Sequence, residues 1–142
     1  MKKLGFIVVF CSFLLTGCSS GPVVKLPDGT RVHIEIAQTN VEKQEGLMNR
    51  TEMDNDQGML FVYETEQDMA FWMKNTLIPL DIIFIGSNQK IVDILTMQPC
   101  KKDPCPSYPA DAPAQYALEV NEGMASEWGL EIGDLLTLDL SS

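Results

Sequence analysis

The sequence predicts an α+β fold that is mostly β: a compact single domain with a barrel-like sheet of about seven strands and two short helices. Three observations lead to this prediction. Short segments of alternating or continuous apolar character recur along the chain, separated by glycine, proline and asparagine. Helix-start signals occur at two places. Three of the segments are apolar at nearly every position, so both faces of those strands should be covered, as in a closed or well-covered sheet.

The first 17 residues predict an export signal. Lys2 and Lys3 precede an apolar run at residues 4–15, which is shorter than the roughly 20 residues that a membrane-spanning helix needs. The tetrapeptide LTGC at residues 15–18 resembles the lipobox of bacterial lipoproteins, in which the cysteine is acylated and cleavage occurs before it. The resemblance implies an exported protein that is attached to a bacterial membrane by the lipid on Cys18 and faces the periplasm or the cell exterior. The alternative is an ordinary secreted protein with an unmodified cysteine.

We divide the chain into a signal peptide (1–17), a lipidated cysteine with a tether (18–30) and one globular domain (31–142). Removing 17 of the 142 residues leaves 125, enough for one domain and short for two. Without Lys2 and Lys3, the 10 basic residues become 8 against 20 acidic residues, so the formal charge is −12. This charge disfavours nucleic acid and anionic headgroups as partners. The lipid would therefore supply the membrane attachment.

Two cysteines remain for the domain, because Cys11 leaves with the signal peptide and Cys18 carries the lipid. Cys100 and Cys105 lie in a proline-rich loop of an exported protein, and there we predict a disulfide, worth roughly 2 kcal/mol in the chain-entropy model. A metal site is the weaker alternative, because zinc takes about four ligands and His33, the sole histidine, is far away in sequence. A redox pair is also weaker, because the spacing is not C-x-x-C. We predict no metal and no cofactor.

The first half of the domain predicts a strand, a helix and a second strand. Residues 31–36 alternate between polar and apolar side chains, as in a half-buried strand. Thr39 and Glu42 match a capping box, which would start a short helix that runs to about Met48. Residues 59–63 are apolar at nearly every position, so this strand should be buried on both faces.

The middle of the domain is the segment AFWMKNTLIPLDIIF, residues 70–84. It predicts two apolar strands, residues 71–73 and 82–85, joined as a hairpin. In such a hairpin Lys74 and Asp81 lie opposite one another and form an ion pair. An exposed pair of this kind is worth only about 0–1 kcal/mol, so stability alone does not explain it.

The last part of the chain predicts three strands and a second helix. The strands are residues 91–97, 116–120 and 135–140. Asn121 is the expected N-cap of a helix from Glu122 to Trp128, and Gly129 is the expected left-handed residue that ends it. A proline-rich loop at residues 99–113 is longer than a compact domain usually tolerates without a purpose.

Three blocks of sequence carry a family resemblance. They are GLMNR with GMLFV (Gly46–Arg50 and Gly58–Val62), FWMKNTLIPLDIIFI (Phe71–Ile85), and PSYPA with YALEVNEG (Pro106–Ala110 and Tyr116–Gly123). Together they resemble the uncharacterised bacterial and archaeal family called domain of unknown function 192 (DUF192), over residues 32–140. The resemblance implies a compact, mostly β domain that is often exported. It implies no established reaction.

Seven side chains are candidate ligand-binding residues: Arg50, Trp72, Lys74, Asn75, Asp81, Tyr108 and Glu119. Trp72 offers a flat apolar surface beside the polar donors of Lys74 and Asn75, the composition of a small recognition site. The guanidinium of Arg50 suits a carboxylate or a sulfate-like group, although pairing with an acidic side chain is its commoner role. Tyr108 lies in the long loop, where it would cover the same face as a lid.

The candidate residues leave three functions open. The first is a cell-envelope lipoprotein whose domain binds a small ligand, either a sugar such as an envelope glycan or a small anion. The second is a structural or protein-interaction lipoprotein with an envelope protein as its partner. The third is a carboxylate-based hydrolase that uses Asp81 and Glu119, which would have to lie about 5 to 9.5 Å apart. The predicted globular domain, residues 31–142, has no G-x-S-x-G and no H-E-x-x-H, and we assign no catalytic residue.

Overall fold

The computed structural model of the protein describes residues 21–141. The predicted signal peptide and the predicted lipidation site Cys18 lie outside these residues. Between residues 21 and 141 the chain forms nine strands: β1 (Val23–Lys25), β2 (Arg31–Ala37), β3 (Gln57–Gln67), β4 (Ala70–Trp72), β5 (Leu80–Ile85), β6 (Ile91–Met97), β7 (Ser107–Pro109), β8 (Ala114–Asn121) and β9 (Thr137–Asp139). The two helices are α1 (Asn40–Glu45) and α2 (Met124–Glu127).

Seven strands form one sheet in the order β6-β5-β8-β3-β2-β1-β9, and β4 pairs with β7 in a separate ribbon. Neighbouring strands are antiparallel except for β2 and β3, which are parallel. The edge strands approach each other at one end, where the Ile91 N–H donates to the carbonyl of Asp134 at 2.9 Å and the Gly133 N–H donates to the carbonyl of Ile91 at 2.8 Å. The fold is therefore mostly β with a barrel-like sheet, as predicted, but the sheet is not a closed barrel.

Two apolar cores lie on opposite faces of the central strands. The first core contains Leu60, Ile83 and Leu118 and packs against α2. The second core contains Phe61, Ile82, Phe84 and Ala117 and includes Leu47, which follows α1. Side chains alternate between the two faces of a strand, so a strand covered on both faces is apolar at successive positions. All six residues of β5 are buried, which confirms the prediction for residues 82–85.

The predicted hairpin between residues 71–73 and 82–85 is wrong. β4 pairs with β7, with Phe71 opposite Tyr108, whereas β5 pairs with β6 on one side and β8 on the other. Both hydrogen-bonding edges of β5 are therefore occupied, and β4 has no edge of β5 available to it. The apolar pattern located both segments, but it did not determine their partners.

Helix α1 confirms the predicted capping box. The Thr39 hydroxyl accepts from the Glu42 N–H at 3.2 Å, and the Glu42 carboxylate accepts from the Thr39 N–H at 2.8 Å. The helix ends at Glu45, earlier than predicted, because Gly46 adopts φ 49° and breaks the helical path.

Helix α2 differs from the prediction at its start and agrees at its end. Asn121 is the last residue of β8, and its side-chain amide donates to the carbonyl of Met53 at 2.7 Å instead of capping the helix. The predicted N-cap is therefore wrong, and the helix begins only at Met124. At the other end Gly129 has φ 63°, and the Leu130 N–H donates to the carbonyl of Ala125 at 3.0 Å, which is the predicted glycine termination.

The folded domain begins earlier than the predicted boundary at residue 31. Strand β1 lies within the segment 18–30 that we assigned to the tether, and it pairs with both β2 and β9. Val23 and Val24 are fully buried, so burial and hydrogen bonding on two sides hold this segment in the sheet. Between residues 21 and 141 no helix is long and apolar enough to cross a membrane.

Cys100 and Cys105 form the predicted disulfide, with their Cα atoms 5.4 Å apart. The Cys100 N–H donates to the carbonyl of Met73 at 3.3 Å, so the disulfide loop is bound to the turn that follows β4. Asp103 lies close enough to the two sulfur atoms for the three residues to resemble a metal-binding group. With both thiols consumed by the disulfide, this group offers one carboxylate, which suits the disulfide interpretation better than a metal site.

Candidate functional site

An open groove lies between α1 and the turn after β4. Its volume is about 350 Å³, which falls within the range of small-molecule sites. The residues that line it are Val41, Gln44, Glu45, Met48, Trp72, Lys74 and Asn75. We call it the Trp72 groove. Three of the predicted ligand-binding residues, Trp72, Lys74 and Asn75, therefore meet in one place.

Strand β4 presents Trp72 to the groove because its neighbour Phe71 is anchored in the second core. The Phe71 ring packs edge-on against Phe61, with centroids 5.0 Å apart, and against Phe84 at 5.8 Å. Successive side chains point to opposite faces of a strand, so the Trp72 side chain faces outward and remains 47% exposed. The Lys74 ammonium lies 5.5 Å from the centre of the Trp72 ring and makes a cation–π contact.

The turn after β4 is attached to the segment after α1, and this attachment joins the two walls of the groove. Asn75 adopts φ 55°, a left-handed conformation that asparagine tolerates well. Its carbonyl accepts from the Asn49 N–H at 2.8 Å. Its side-chain amide lies 4.0 Å from the sulfur of Met48, which lines the opposite wall. One backbone hydrogen bond and one side-chain contact therefore hold the two walls of the groove together.

Glu119 lies beneath the groove, in the second core. In the sheet it is directly opposite Met59 on β3 and Ile82 on β5, and it is only 5% exposed. Burial raises the pKa of this carboxyl to about 8, and no hydrogen bond or basic side chain of the described residues opposes the rise. At neutral pH the Glu119 side chain is therefore mostly a neutral carboxylic acid.

A small cavity connects Glu119 with the groove. It has a volume of about 20 Å³, which is enough for one water molecule. Its inner walls include Leu47, Phe61, Phe71 and Thr76, and its outer walls include the groove residues Gln44, Glu45, Met48 and Trp72. The groove and the cavity are consequently two levels of one site, with Trp72 between them.

Arg50 does not reach the groove. Its guanidinium donates to the Glu35 carboxylate at 2.6 Å, and this ion pair raises the pKa of Arg50 further above its ordinary value. The alternative that the sequence left open, pairing with an acidic residue, is the one observed. The anion receptor suggested for Arg50 is thus already occupied by a carboxylate of the protein.

Asp81 has a structural position on the other face of the sheet. Its carboxylate accepts from the Thr96 hydroxyl at 2.8 Å and from the N–H groups of Gly123 and Ala125 at 2.9 and 3.1 Å. It therefore caps the start of α2 from β5. The predicted ion pair with Lys74 is wrong, because the carboxylate is 3% exposed and already bound by these donors.

The register of the sheet separates Asp81 from Glu119. Asp81 is opposite Val120, a residue of the first core, whereas Glu119 is opposite Ile82, a residue of the second core. Directly opposed residues share a face, and consecutive residues have opposite faces. The two carboxyl groups consequently point to opposite sides of the sheet and cannot flank one glycosidic bond.

Tyr108 supports the ribbon and is not a lid over the groove. It lies on β7 opposite Phe71, packs against the second core, and accepts from the Gln98 N–H through its hydroxyl at 3.2 Å. The Tyr108 ring therefore stabilises β4, the strand that presents Trp72.

The α1 wall of the groove and the cavity residue Thr76 were not predicted from the sequence. One signal was available: Val41 is an apolar residue in an otherwise polar helix, and it is 71% exposed in the structure. Thr76 gave no comparable signal, because a threonine in a turn is usually solvated. Its burial depends on the packing of the turn after β4 onto the second core.

The fold and the site together define a small, mostly β domain with an exposed aromatic groove above a buried carboxyl group. The chain belongs to the DUF192 family, described as uncharacterised, whose sequence profile matches residues 23–138. This confirms the resemblance seen in the three sequence blocks. No curated protein matches the sequence.

Two solved structures are similar to this chain. One is a protein of unknown function from Novosphingobium aromaticivorans, with 35% identity, coverage of 82% of this chain and 83% of that one, and a TM-score of 0.73. The other, from Sinorhizobium meliloti, is named as a candidate transcription regulator, with 31% identity, coverage of 82% of this chain and 91% of that one, and a TM-score of 0.74.

Proposed function

We propose that this protein is a cell-envelope lipoprotein whose domain binds a small neutral sugar in the Trp72 groove. The observation that carries the proposal is the exposed Trp72 ring at the edge of a mostly apolar groove, next to Phe71, which is anchored in the second core. A pyranose has an apolar C–H face and a rim of hydroxyl groups. An aromatic ring with polar side chains around it, here Gln44, Lys74 and Asn75, complements both features.

A sugar fits the groove better than a small anion. Arg50, the strongest candidate for an anion receptor, is paired with Glu35. Lys74 is the basic residue that lines the groove, and Glu45 lines it as well, so the groove has no excess of positive charge. The formal charge of the chain from residue 18 onward, −12, adds a general repulsion of anions.

The location in the envelope rests on the sequence. The apolar run and the LTGC tetrapeptide support export and lipidation at Cys18. The formal charge of −12 argues against nucleic acid as a partner of this chain. The transcription-regulator description of the Sinorhizobium meliloti protein is therefore not part of this proposal. A domain on a lipid tether would meet envelope glycans and small sugars that diffuse through the envelope.

The first test uses the fluorescence of Trp72 in the chain of residues 19–142. The protein has two tryptophans, so Trp128→Phe leaves Trp72 as the single reporter. Neutral sugars that stack on the ring should change its emission and give a Kd on the order of 1 mM, since an open groove makes few contacts. Calorimetric titration should then show that Trp72→Ala weakens binding about tenfold or more.

The control for Trp72→Ala is Ile132→Ala. Ile132 is 68% exposed and does not line the groove, so its removal should leave sugar affinity unchanged. If no sugar of a panel of neutral hexoses, pentoses and disaccharides changes the emission of Trp72, the proposal is wrong.

A protein partner is the second candidate. Val41 and Trp72 are large apolar side chains that remain exposed in the same groove, a feature also found where proteins dock. Cross-linking from the groove in intact cells distinguishes the two functions. A specific cross-linked envelope protein, lost in Trp72→Ala, would favour this second candidate.

A further inference from the structure

We propose that the cavity above Glu119 is a deep subsite, which receives the hydroxymethyl group of a hexose whose ring lies in the Trp72 groove. The inference rests on the proposed sugar-binding function, because the cavity opens from the same groove. It adds a specificity: a preference for sugars that carry one hydroxyl on a short arm.

The floor of the cavity contains a polar group, the Glu119 carboxyl, that has no hydrogen-bond partner within residues 21–141. Glu119 is surrounded by Leu47, Phe61 and Phe71, and burial is the sole cause of its raised pKa. Among the described residues no side-chain oxygen or nitrogen is both fully enclosed and unpaired, so the Glu119 carboxyl opens onto the cavity. A buried carboxyl of this kind requires a partner from a water molecule or a ligand.

The size of the cavity limits what can enter. About 20 Å³ accommodates one water-sized group, whereas the groove above it, at about 350 Å³, accommodates a sugar ring. Gly46 helps to keep the cavity open, because a Cβ at this position would lie 3.2 Å from the Phe61 ring. A hydroxymethyl group matches this shape, since it places a single hydroxyl beyond the ring.

The chemistry of Glu119 matches a hydroxyl group. A neutral carboxylic acid has one O–H donor and free acceptor positions, and a hydroxyl has the same complement, so the two can form a reciprocal pair. An anionic group would meet no fixed positive charge on the floor. Displacing a bound water by a hydroxyl also preserves the hydrogen bonds of that water.

Four charged or titratable side chains surround the subsite. Lys43 and Glu45 from α1 line the cavity, Lys74 from the turn after β4 lines the groove, and Tyr63 on β3 has a pKa that is raised by burial and secondarily by Glu119. Lys43 lies over the Tyr63 ring, 4.0 Å from its centre. The Lys43 ammonium is therefore already engaged by the Tyr63 ring.

Matched sugar pairs test the subsite. Glucose and xylose, galactose and L-arabinose, and mannose and lyxose each share a pyranose ring and differ by the hydroxymethyl group. For at least one pair, the 19–142 chain should bind the hexose about tenfold more tightly than the pentose. Calorimetric titration at one pH and temperature measures both affinities.

Substitutions of Glu119 assign the preference to this residue. Glu119→Leu should reduce the ratio of the two affinities to about one by weakening hexose binding, while pentose affinity stays unchanged. Glu119→Gln keeps a donor and an acceptor and should retain most of the preference. Trp72→Ala should weaken both sugars together, because it removes the ring platform and leaves the floor intact.

The outcomes separate the two proposals. Pentose and hexose of equal affinity in the unmodified chain, or an undiminished preference in Glu119→Leu, would overturn the subsite and leave the Trp72 groove standing. Failure of all six sugars to bind would overturn the subsite, and failure of the disaccharides as well would overturn both proposals. If Glu119→Leu does not fold, the ¹³C resonance of the Glu119 carboxyl decides: it should shift with the hexose and not with the pentose, and the opposite result refutes the subsite.

Discussion

Asp81 and Glu119 are buried carboxyl groups on neighbouring strands, and they differ in what surrounds them. Asp81 accepts three hydrogen bonds, two of them from the start of α2, and so acts as a structural anchor. Glu119 has its pKa raised to about 8 by burial alone. A titratable residue that lines a cavity and has a strongly shifted pKa is a candidate for a functional role. At the residue scale, the site is therefore centred on Glu119 and Trp72.

The raised pKa of Glu119 predicts a pH dependence of stability. Between its ordinary pKa of 4.5 and about 8, the folded state holds a proton on Glu119 that the unfolded state has released. The folded state binds more protons in this interval, so the free energy of unfolding falls as pH rises, by about 1.4 kcal/mol per pH unit from this group. Urea denaturation between pH 5 and pH 8, compared with Glu119→Gln, should show that the variant lacks this part of the decline.

The control for this experiment is Glu52→Gln, which removes an exposed carboxyl. It should leave the pH dependence of the unmodified protein in place. Parallel stability curves for the unmodified protein and Glu119→Gln would mean that Glu119 is ionised in the folded state.

At the scale of elements, α1 and β4 form the walls of the groove, and both are short elements. None of the residues of α1 is buried, so the helix gains little from packing and depends on its capping box. β4 has three residues and is held by β7, which follows the disulfide-closed segment of the long loop. Helix α1, which depends on its capping box, and strand β4, which depends on β7, thus form the walls of the groove.

Loss of the capping box should therefore weaken the groove wall. Thr39→Ala removes the hydroxyl that accepts from the Glu42 N–H, and a lost N-cap typically costs about 1 kcal/mol. Because α1 has no buried residue, we expect the loss as local fraying: faster amide exchange in residues 40–45 and weaker sugar binding. Hydrogen exchange followed by NMR measures the first effect, and calorimetry measures the second.

Thr51→Ala is the matched control for Thr39→Ala. Thr51 is an exposed threonine that forms no hydrogen bond among the described residues, and it follows α1 by a few positions. Its substitution should change neither the exchange rates in α1 nor the sugar affinity. Unchanged exchange in Thr39→Ala would show that the capping box does not hold the helix.

For the whole molecule, the sheet is what brings the site together. Strands β3, β8 and β5 have a core on each face, and the second core supports Glu119 from below and Phe71 from the side. At the other end of the sheet, β1 lies between β2 and β9 and connects the N-terminal segment to the last strand. The sheet therefore begins at Val23, eight residues before the predicted start of the domain at residue 31.

Truncation of the N-terminal segment tests this boundary. A chain that starts at Gly21 should fold, whereas one that starts at Arg31 loses β1, including the fully buried Val23 and Val24. Losing these two side chains should destabilise the protein by at least about 3 kcal/mol, and β9 should detach. Thermal unfolding and the amide spectrum of residues 137–139 measure the two effects. Equal melting temperatures would place the start of the domain at β2.

Much of the fold was predictable because a buried segment has a local pattern of apolar residues in the sequence. Residues 91–97 coincide with β6, and residues 82–85 are buried on both faces, as their continuous apolar character required. The capping box at Thr39 and the glycine termination at Gly129 were predictable for the same reason: each is formed by residues within one turn of helix.

The candidate site was predictable only in part. Trp72, Lys74 and Asn75 are close in sequence, and the structure places them together in the groove. Arg50, Asp81 and Tyr108 lie elsewhere, because their partners come from other elements: Glu35 on β2, the start of α2, and the backbone of Gln98. Glu119 lies on β8, far from Trp72 in sequence. Strand pairing across the sheet brings the two residues together, and no local sequence pattern indicates that pairing.

The mostly β domain of the DUF192 type, its helix signals, its cysteine pair and its acidic charge can all be inferred from the sequence. The pairing of β4 with β7, the opposite cores of Asp81 and Glu119, and the position of Glu119 beneath Trp72 depend on the tertiary structure. Apolar alternation specifies which side chains are buried, but it does not specify which strand lies alongside. A shift of one residue in register would reverse the face of every side chain, and that register is set by long-range packing.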